Sequence, residues 1–155
     1  MKVSSLLRKA SECKTEAAAR TLLATLERAF SKAKPLSHLG TYNPESFMED
    51  GQPCVHFELT KVISNHYVTT VRPEIRDGKL IVDVVTNHML DGLGIGSQSW
   101  EPVEGMEERI EASEDQTVLA LAEQARKLAI ANHAELIERV GVARSIALTA
   151  AAKSW

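Results

Sequence analysis

The sequence predicts one two-layer α+β domain over residues 1–155, in which helical segments at both ends flank a three-stranded antiparallel sheet. The end segments, 4–34 and 113–152, are rich in Ala and Leu, residues that favour helices. Between them, residues 54–88 alternate apolar and polar side chains, the pattern of half-buried strands. A chain of this length buries enough surface to fold without a disulfide or a metal.

The N-terminal segment, 4–34, carries apolar stripes on nearly opposite sides of a helix turning about 100° per residue. Two interpretations remain open at this point. A break near Thr15 would let that residue cap a second helix, whereas one continuous helix would need packing partners on both sides. Both interpretations place Leu22, Leu26 and Phe30 in a buried seam. The continuous helix makes these three residues candidates for self-association in a homodimer.

Three strands are predicted, at 54–63, 66–76 and 79–88. Asp77-Gly78 is a two-residue hairpin turn between the second and third strands, because both residues tolerate positive φ. Pro73 lacks a backbone donor, which puts its strand at an edge or a bulge. A meander in chain order is favoured, and the alternative places the third strand between the other two.

Two connecting segments rich in Gly, Pro, Ser, Asn and Asp are predicted as loops, at 35–53 and 89–112. Within the first, Pro44 is suited to begin a one-turn helix. The second contains Gly92, Gly94 and Gly96 after a strand, but no P-loop lysine follows these glycines. Long loops are often functional. The part from 88 to 100 is therefore the candidate site for a small-molecule binder or an enzyme, with His88 as its candidate side chain.

The C-terminal segment, 113–152, is predicted to be a long helix or a helix pair. Ser113 and Gln116 have the spacing of a capping box at its start, and Gly141 is the candidate break. No apolar run is long enough for a membrane span.

No catalytic constellation is visible, and no catalytic residue, metal or cofactor is predicted. Cys13 and Cys54 stand alone, and the five histidines lack the ligand spacing of a zinc site. Isolated, reduced thiols are typical of a reducing compartment, so we expect a cytoplasmic protein.

Charge is distributed unevenly around a formal net charge of −3. Residues 1–39 hold eight basic and three acidic side chains, net +5, whereas residues 101–116 hold seven acidic side chains and one arginine, net −6. An acidic segment beside a tryptophan, together with a polar sheet face, favours a protein partner. The candidate partner-binding residues are Trp100, Glu104, Glu107, Glu108, Glu111, Arg72 and Glu74.

We expect a non-catalytic protein-interaction module, an adaptor, chaperone or inhibitor, that forms a homodimer. The alternative is nucleic-acid association through the basic N-terminal helix, with Arg20, Arg28 and Lys32 as contacts. Type III secretion chaperones and small dimeric nucleoid-associated proteins share the order helix, strand meander, helix. No motif of either class is present, so the sequence identifies no family.

Overall fold

The computed structural model describes residues 1–64, 66–91, 98–140, 148–151 and 153–155. It contains a five-stranded antiparallel meander, ordered β1-β2-β3-β4-β5, with helices at both ends of the chain. The elements are α1 (Val3–Glu12), α2 (Glu16–Ser31), β1 (Gly40–Glu49), β2 (Gln52–Val62), β3 (Tyr67–Arg76), β4 (Lys79–Asp91), β5 (Gln98–Glu111), α3 (Val118–Val140) and a short α4 (148–151).

The prediction of a three-stranded sheet is wrong, because both predicted loops contain a strand. The segment 35–53 contains β1, whose first six residues are exposed and therefore show no apolar alternation. Pro44 begins no helix but lies where the register shifts between Tyr42 and Glu45. The segment 89–112 contains the end of β4 and most of β5.

The order of the central strands follows the prediction, but the expectation that Pro73 puts its strand at an edge or a bulge is wrong. β3 is the middle strand of the sheet, and Pro73 pairs with Val82 without a register shift. β2, β3 and β4 are neighbours in chain order, as the favoured meander requires. Asp77 and Gly78 have φ values of 53° and 71°, and Arg76 pairs with Lys79 across the turn. The hairpin prediction is therefore confirmed, with the positive φ at both positions that a tight β-hairpin turn needs.

The N-terminal segment is a helix pair. α1 ends at Glu12 and α2 begins at Glu16, and the backbone N–H of Ala18 donates to Thr15 Oγ1 over 3.1 Å. Thr15 thus caps α2, since its hydroxyl satisfies one of the donors that a helix start leaves free. The continuous-helix alternative is wrong.

All three described long helices pack against the same face of the sheet. α2 lies over β1 and β2, whereas α3 lies over β4 and β5, and α1 joins them at one end. The main core between these layers is aliphatic apart from two phenylalanines, and Leu22, Leu26 and Phe30 of α2 belong to it. The buried seam predicted for these residues is confirmed.

The start of α3 differs from the predicted capping box. Thr117 Oγ1 accepts from the N–H of Ala120 over 3.0 Å, so the helix begins four residues later than predicted. The Ser113 N–H still donates to Gln116 Oε1, over 2.8 Å. The N–H of Val118 donates to the carbonyl of Met1, which ties the chain start to this helix.

Candidate functional site

The sheet has one face covered by helices and one face against which none of the described helices packs. Paired residues of neighbouring strands project to the same side. Leu59 and Val71 pair and face the helices, so their chain neighbours Thr60 and Thr70, which also pair, face the opposite side. We call this second side the open face.

A groove of about 700 Å³ lies on the open face. All five strands contribute to it. Its lining residues are Tyr42, Asn43, Glu58, Thr60, Val62, Val68, Thr70, Arg72, Asp83, Val85, Asn87, Trp100, Pro102 and Glu107.

Large apolar side chains are exposed at the walls and floor of this groove. Tyr42 on β1 is 54% exposed, Val62 on β2 is 68% exposed and Trp100 on β5 is 41% exposed. Tyr42 and Trp100 come from the two edge strands, so aromatic rings stand on opposite sides of a floor that includes Thr60 and Val85. Exposed apolar residues gathered in one concavity are typical of binding surfaces.

The arginines of the open face are engaged by carboxylates. Arg109 donates to both Asp83 oxygens, over 2.8 and 3.2 Å. Arg72 and Arg76 flank Glu74, with N–O distances of 3.6 and 3.3 Å. Arg76 also lies 3.6 Å from Glu49, so three carboxylates match these three arginines. These ion pairs leave the carboxylates of the neighbouring groove residues as the surplus charge.

Two carboxylates of the groove contribute that surplus. Glu58 accepts a hydrogen bond from the Asn43 amide over 2.9 Å, and this neutral partner leaves its charge uncompensated. Glu107 has no ion-pair partner among the described residues. The groove floor therefore combines valines with Thr60 and Thr70, while Glu58 and Glu107 make the rim acidic.

A cysteine and a histidine lie beside the groove on the same face. Cys54 is buried, accepts from Arg76 Nε over 3.2 Å and lies 3.8 Å from Glu74 Oε1. Burial raises the pKa of the Cys54 thiol, with the Arg76 hydrogen bond acting against it. Because thiolates are the reactive form, this thiol is poorly suited to nucleophilic chemistry. His56 Nε2 lies 2.9 Å from Glu45 Oε2, while its buried Nδ1 has no hydrogen-bond partner among the described residues.

The predicted partner-binding residues are only partly brought together. Trp100, Glu107 and Arg72 line the groove. Glu104, Glu108 and Glu111 are exposed along the edge strand β5, and Glu111 pairs with Lys79 at 3.3 Å. Glu74 is buried beneath the two arginines that it binds, so its carboxylate positions them and presents no surface of its own.

Sequence reasoning missed the groove residues of β1 and β2. Tyr42 lies on the overlooked strand β1. Val62 continues the alternation of β2 outward from Thr60, a signal that was available in the sequence. Its exposure depends on which face the helices leave open, and that is a property of the assembled fold.

The residues proposed for other functions lie elsewhere. Arg20, Arg28 and Lys32 are exposed on α2, across the molecule from the groove. Leu22, Leu26 and Phe30 are buried within one chain and offer no surface to a second copy in this conformation.

The loop from 88 to 100 is not one continuous loop. Residues 88–91 belong to β4 and residues 98–100 to β5, while residues 92–97 lie outside the described part of the chain. Gly92, Gly94 and Gly96 are among those residues. The next element after them is a strand, whereas a phosphate-binding glycine loop opens a helix.

A buried polar cluster lies on the helix side. His133 Nε2 is 3.1 Å from Thr69 Oγ1, which is 2.9 Å from Thr86 Oγ1, and the Trp155 indole N–H donates to His133 Nδ1 over 2.7 Å. Burial, followed by the positive charge of Lys61, lowers the pKa of His133 to about 4. The ring is therefore neutral at pH 7 and accepts the indole hydrogen bond.

Within the described ranges, no three Cys, His, Asp or Glu side chains are arranged to hold a metal ion. The helices of those ranges also lack the combination of length and apolar composition that a membrane span requires. No protein-family model matches the sequence, and no significant match to a curated protein or a solved structure was found.

Proposed function

We propose that this chain is a non-catalytic protein-binding module that holds a partner on the open face of its sheet. The observation that carries the proposal is the gathering of three exposed apolar side chains, Tyr42, Val62 and Trp100, around one groove. Removing such side chains from water on binding is favourable at about 25 cal/mol per Å². Aromatic residues are also enriched where protein interfaces concentrate their binding energy.

The chemistry around the groove favours binding over catalysis. The thiol of Cys54 is 1% exposed and its pKa is raised, so it is neither accessible nor activated. The arginines of the face are held by Glu74 and Asp83. Cys13 and Cys54 are both free thiols, which supports placing the module in a reducing compartment such as the cytoplasm.

A nucleic-acid role for α2 receives less support from the arrangement of its charges. At 100° per residue, Glu16 and Glu27 fall within about 40° of Arg20 around the helix. These carboxylates interrupt the basic surface that a phosphate backbone would contact. Self-association through Leu22, Leu26 and Phe30 is not part of the proposal, because those side chains are buried.

The experiment compares two matched arginine substitutions. Val62→Arg places a long charged side chain in the groove, and Leu119→Arg places the same side chain at another exposed apolar position, on α3. Both sites are exposed, so each change should alter stability by only about 0.5 kcal/mol. Circular dichroism and thermal melting confirm that both variants fold.

Tagged wild type and both variants are used to capture partners from native lysate after nuclease treatment. We expect wild type and Leu119→Arg to capture the same protein, and Val62→Arg to capture at least tenfold less of it. Equal capture by all three proteins would remove the support for the open face. Recovery of nucleic acid alone, lost with Arg20→Ala and Arg28→Ala, would favour the α2 alternative.

A further inference from the structure

The shape and charge of the groove restrict which partner segment it accepts. We propose that the occupant is a single amphipathic α-helix of another protein, with an apolar stripe toward the floor and Lys or Arg on its flanks. This inference rests on the proposed function and narrows it from a protein partner to one class of segment.

The size of the groove floor fits one helix. Four inter-strand spacings of about 4.8 Å place the backbones of β1 and β5 roughly 19 Å apart. Tyr42 lies in line with Asp83 across the sheet, whereas Trp100 pairs with Met89. Asp83 and Met89 are about 20 Å apart along β4. The two rings thus stand at diagonally opposite corners.

A helix with side chains is about 10 to 12 Å across, and about 18 helical residues span the roughly 28 Å between the two corners. One helix lying between the aromatic corners therefore covers most of this floor. A single extended strand, at about 4.8 Å per strand spacing, would leave much of it in contact with water.

The two edge strands are poorly suited to the other common way of binding a partner segment, in which the segment adds a strand to the sheet. β1 is interrupted by Pro44 and by Asn43 with a φ of 50°. β5 has a register shift against β4, a φ of 78° at Gly105, and several exposed carboxylates. Prolines, bulges and charged side chains are devices that protect edge strands from pairing. We therefore expect the partner to bind on the open face and not at an edge of the sheet.

Charge selects a basic helix over an acidic one. Glu58 and Glu107 at the rim lack cationic partners among the described residues. Arg72 and Arg109 are held by Glu74 and Asp83. Complementary charge raises the association rate and excludes partners of the same sign.

The same charges argue against a second copy of this chain. A two-fold face-to-face dimer would bring one acidic rim against another, because such interfaces pair the same patch on both subunits. Like charges facing each other across an interface are unfavourable. The partner is therefore a different protein.

The test uses synthetic peptides of 20 residues, labelled with fluorescein and followed by fluorescence anisotropy. The first peptide has leucines at helical spacing with Lys and Ala elsewhere. The second has the same composition in scrambled order, which removes the apolar stripe. The third replaces each Lys by Glu, and the fourth adds prolines that prevent helix formation.

We expect the Lys helix to bind wild type and Leu119→Arg equally, and at least tenfold more weakly to Val62→Arg. The scrambled, acidic and proline-containing peptides should each bind wild type at least tenfold more weakly, and added salt should weaken the Lys helix. Native mass spectrometry should show monomer at micromolar concentration.

The outcomes separate this inference from the proposed function. Equal binding of the acidic or proline-containing peptide would overturn the basic helix. Binding of none of the peptides would also overturn it, and so would a dimer lost with Val62→Arg. A captured protein that still depends on Val62 would meanwhile leave the proposed function standing. Val62→Arg behaving as wild type with both peptides and lysate would overturn both proposals.

Discussion

At the scale of single residues, His133 is the most informative titratable group. Burial keeps it neutral in the folded chain, where its ring contacts Thr69 and Trp155. In an unfolded chain a histidine has a pKa of about 6.5. As the pH falls from 6.5 toward 4, the unfolded state binds a proton that the folded state excludes, so the free energy of unfolding decreases.

This linkage predicts a measurable loss of stability in mild acid. The contribution of His133 is fully present above pH 6.5, and we expect it to fall by about 1 to 2 kcal/mol between pH 7 and pH 5. Urea unfolding at both pH values, for wild type and His133→Gln, measures the difference. The variant should lose less stability on acidification, and an equal loss in both proteins would contradict the assignment.

Residue identity alone could not reveal this cluster. His133 lies among apolar positions of α3, so a core histidine is compatible with its surroundings in the sequence. Its partners Thr69, Thr86 and Trp155 are distant in the chain, and their contact depends on how α3 lies across β3 and β4. Groove residues raise the same difficulty, since only the order of the five strands places Tyr42 and Trp100 around one groove.

At the scale of elements, Thr15 decides where α2 begins. Its hydroxyl accepts from the Ala18 N–H, and Thr15→Ala should cost about 1 kcal/mol of unfolding free energy. The matched control is Thr21→Ala, an exposed position within α2 whose hydroxyl bonds the Ala17 carbonyl. That change should be neutral or stabilising, because alanine favours helix interiors.

Chemical denaturation of the two variants distinguishes the loss of a helix cap from a general effect of replacing threonine by alanine. Equal effects of both substitutions on the denaturation midpoint would contradict the capping role. A larger loss for Thr15→Ala is the expected result.

Strands with one buried face could be predicted, and edge strands could not. β2 and β3 alternate because one side packs against helices, so Val55, Phe57 and Leu59 are recognisable. β1 is exposed along its first half. In β5, Met106 and Ile110 are the only buried residues of 99–111, the part whose burial is described, and the others are mostly charged or exposed. Protection against edge pairing thus removed the periodic signal that identifies a strand.

At the scale of the whole molecule, the two faces of the sheet differ in what they bury and what they expose. The helix-covered face supplies the aliphatic core, while the open face carries the exposed apolar residues Tyr42, Val62 and Trp100. Residues 1–39 carry a net charge of +5, whereas residues 101–116, which include most of β5, carry a net charge of −6, and Glu107 of this strand lines the groove. The acidic strand β5 therefore borders the groove, and a basic partner would be oriented toward it.

Site-specific photo-crosslinking tests whether a partner occupies the open face. A photoreactive phenylalanine derivative replaces Thr70 on the groove floor in one protein and Leu119 on α3 in another. After irradiation in native lysate, we expect a covalent protein adduct from position 70 and none from position 119. Adducts from position 119 alone would show that the partner does not occupy the open face.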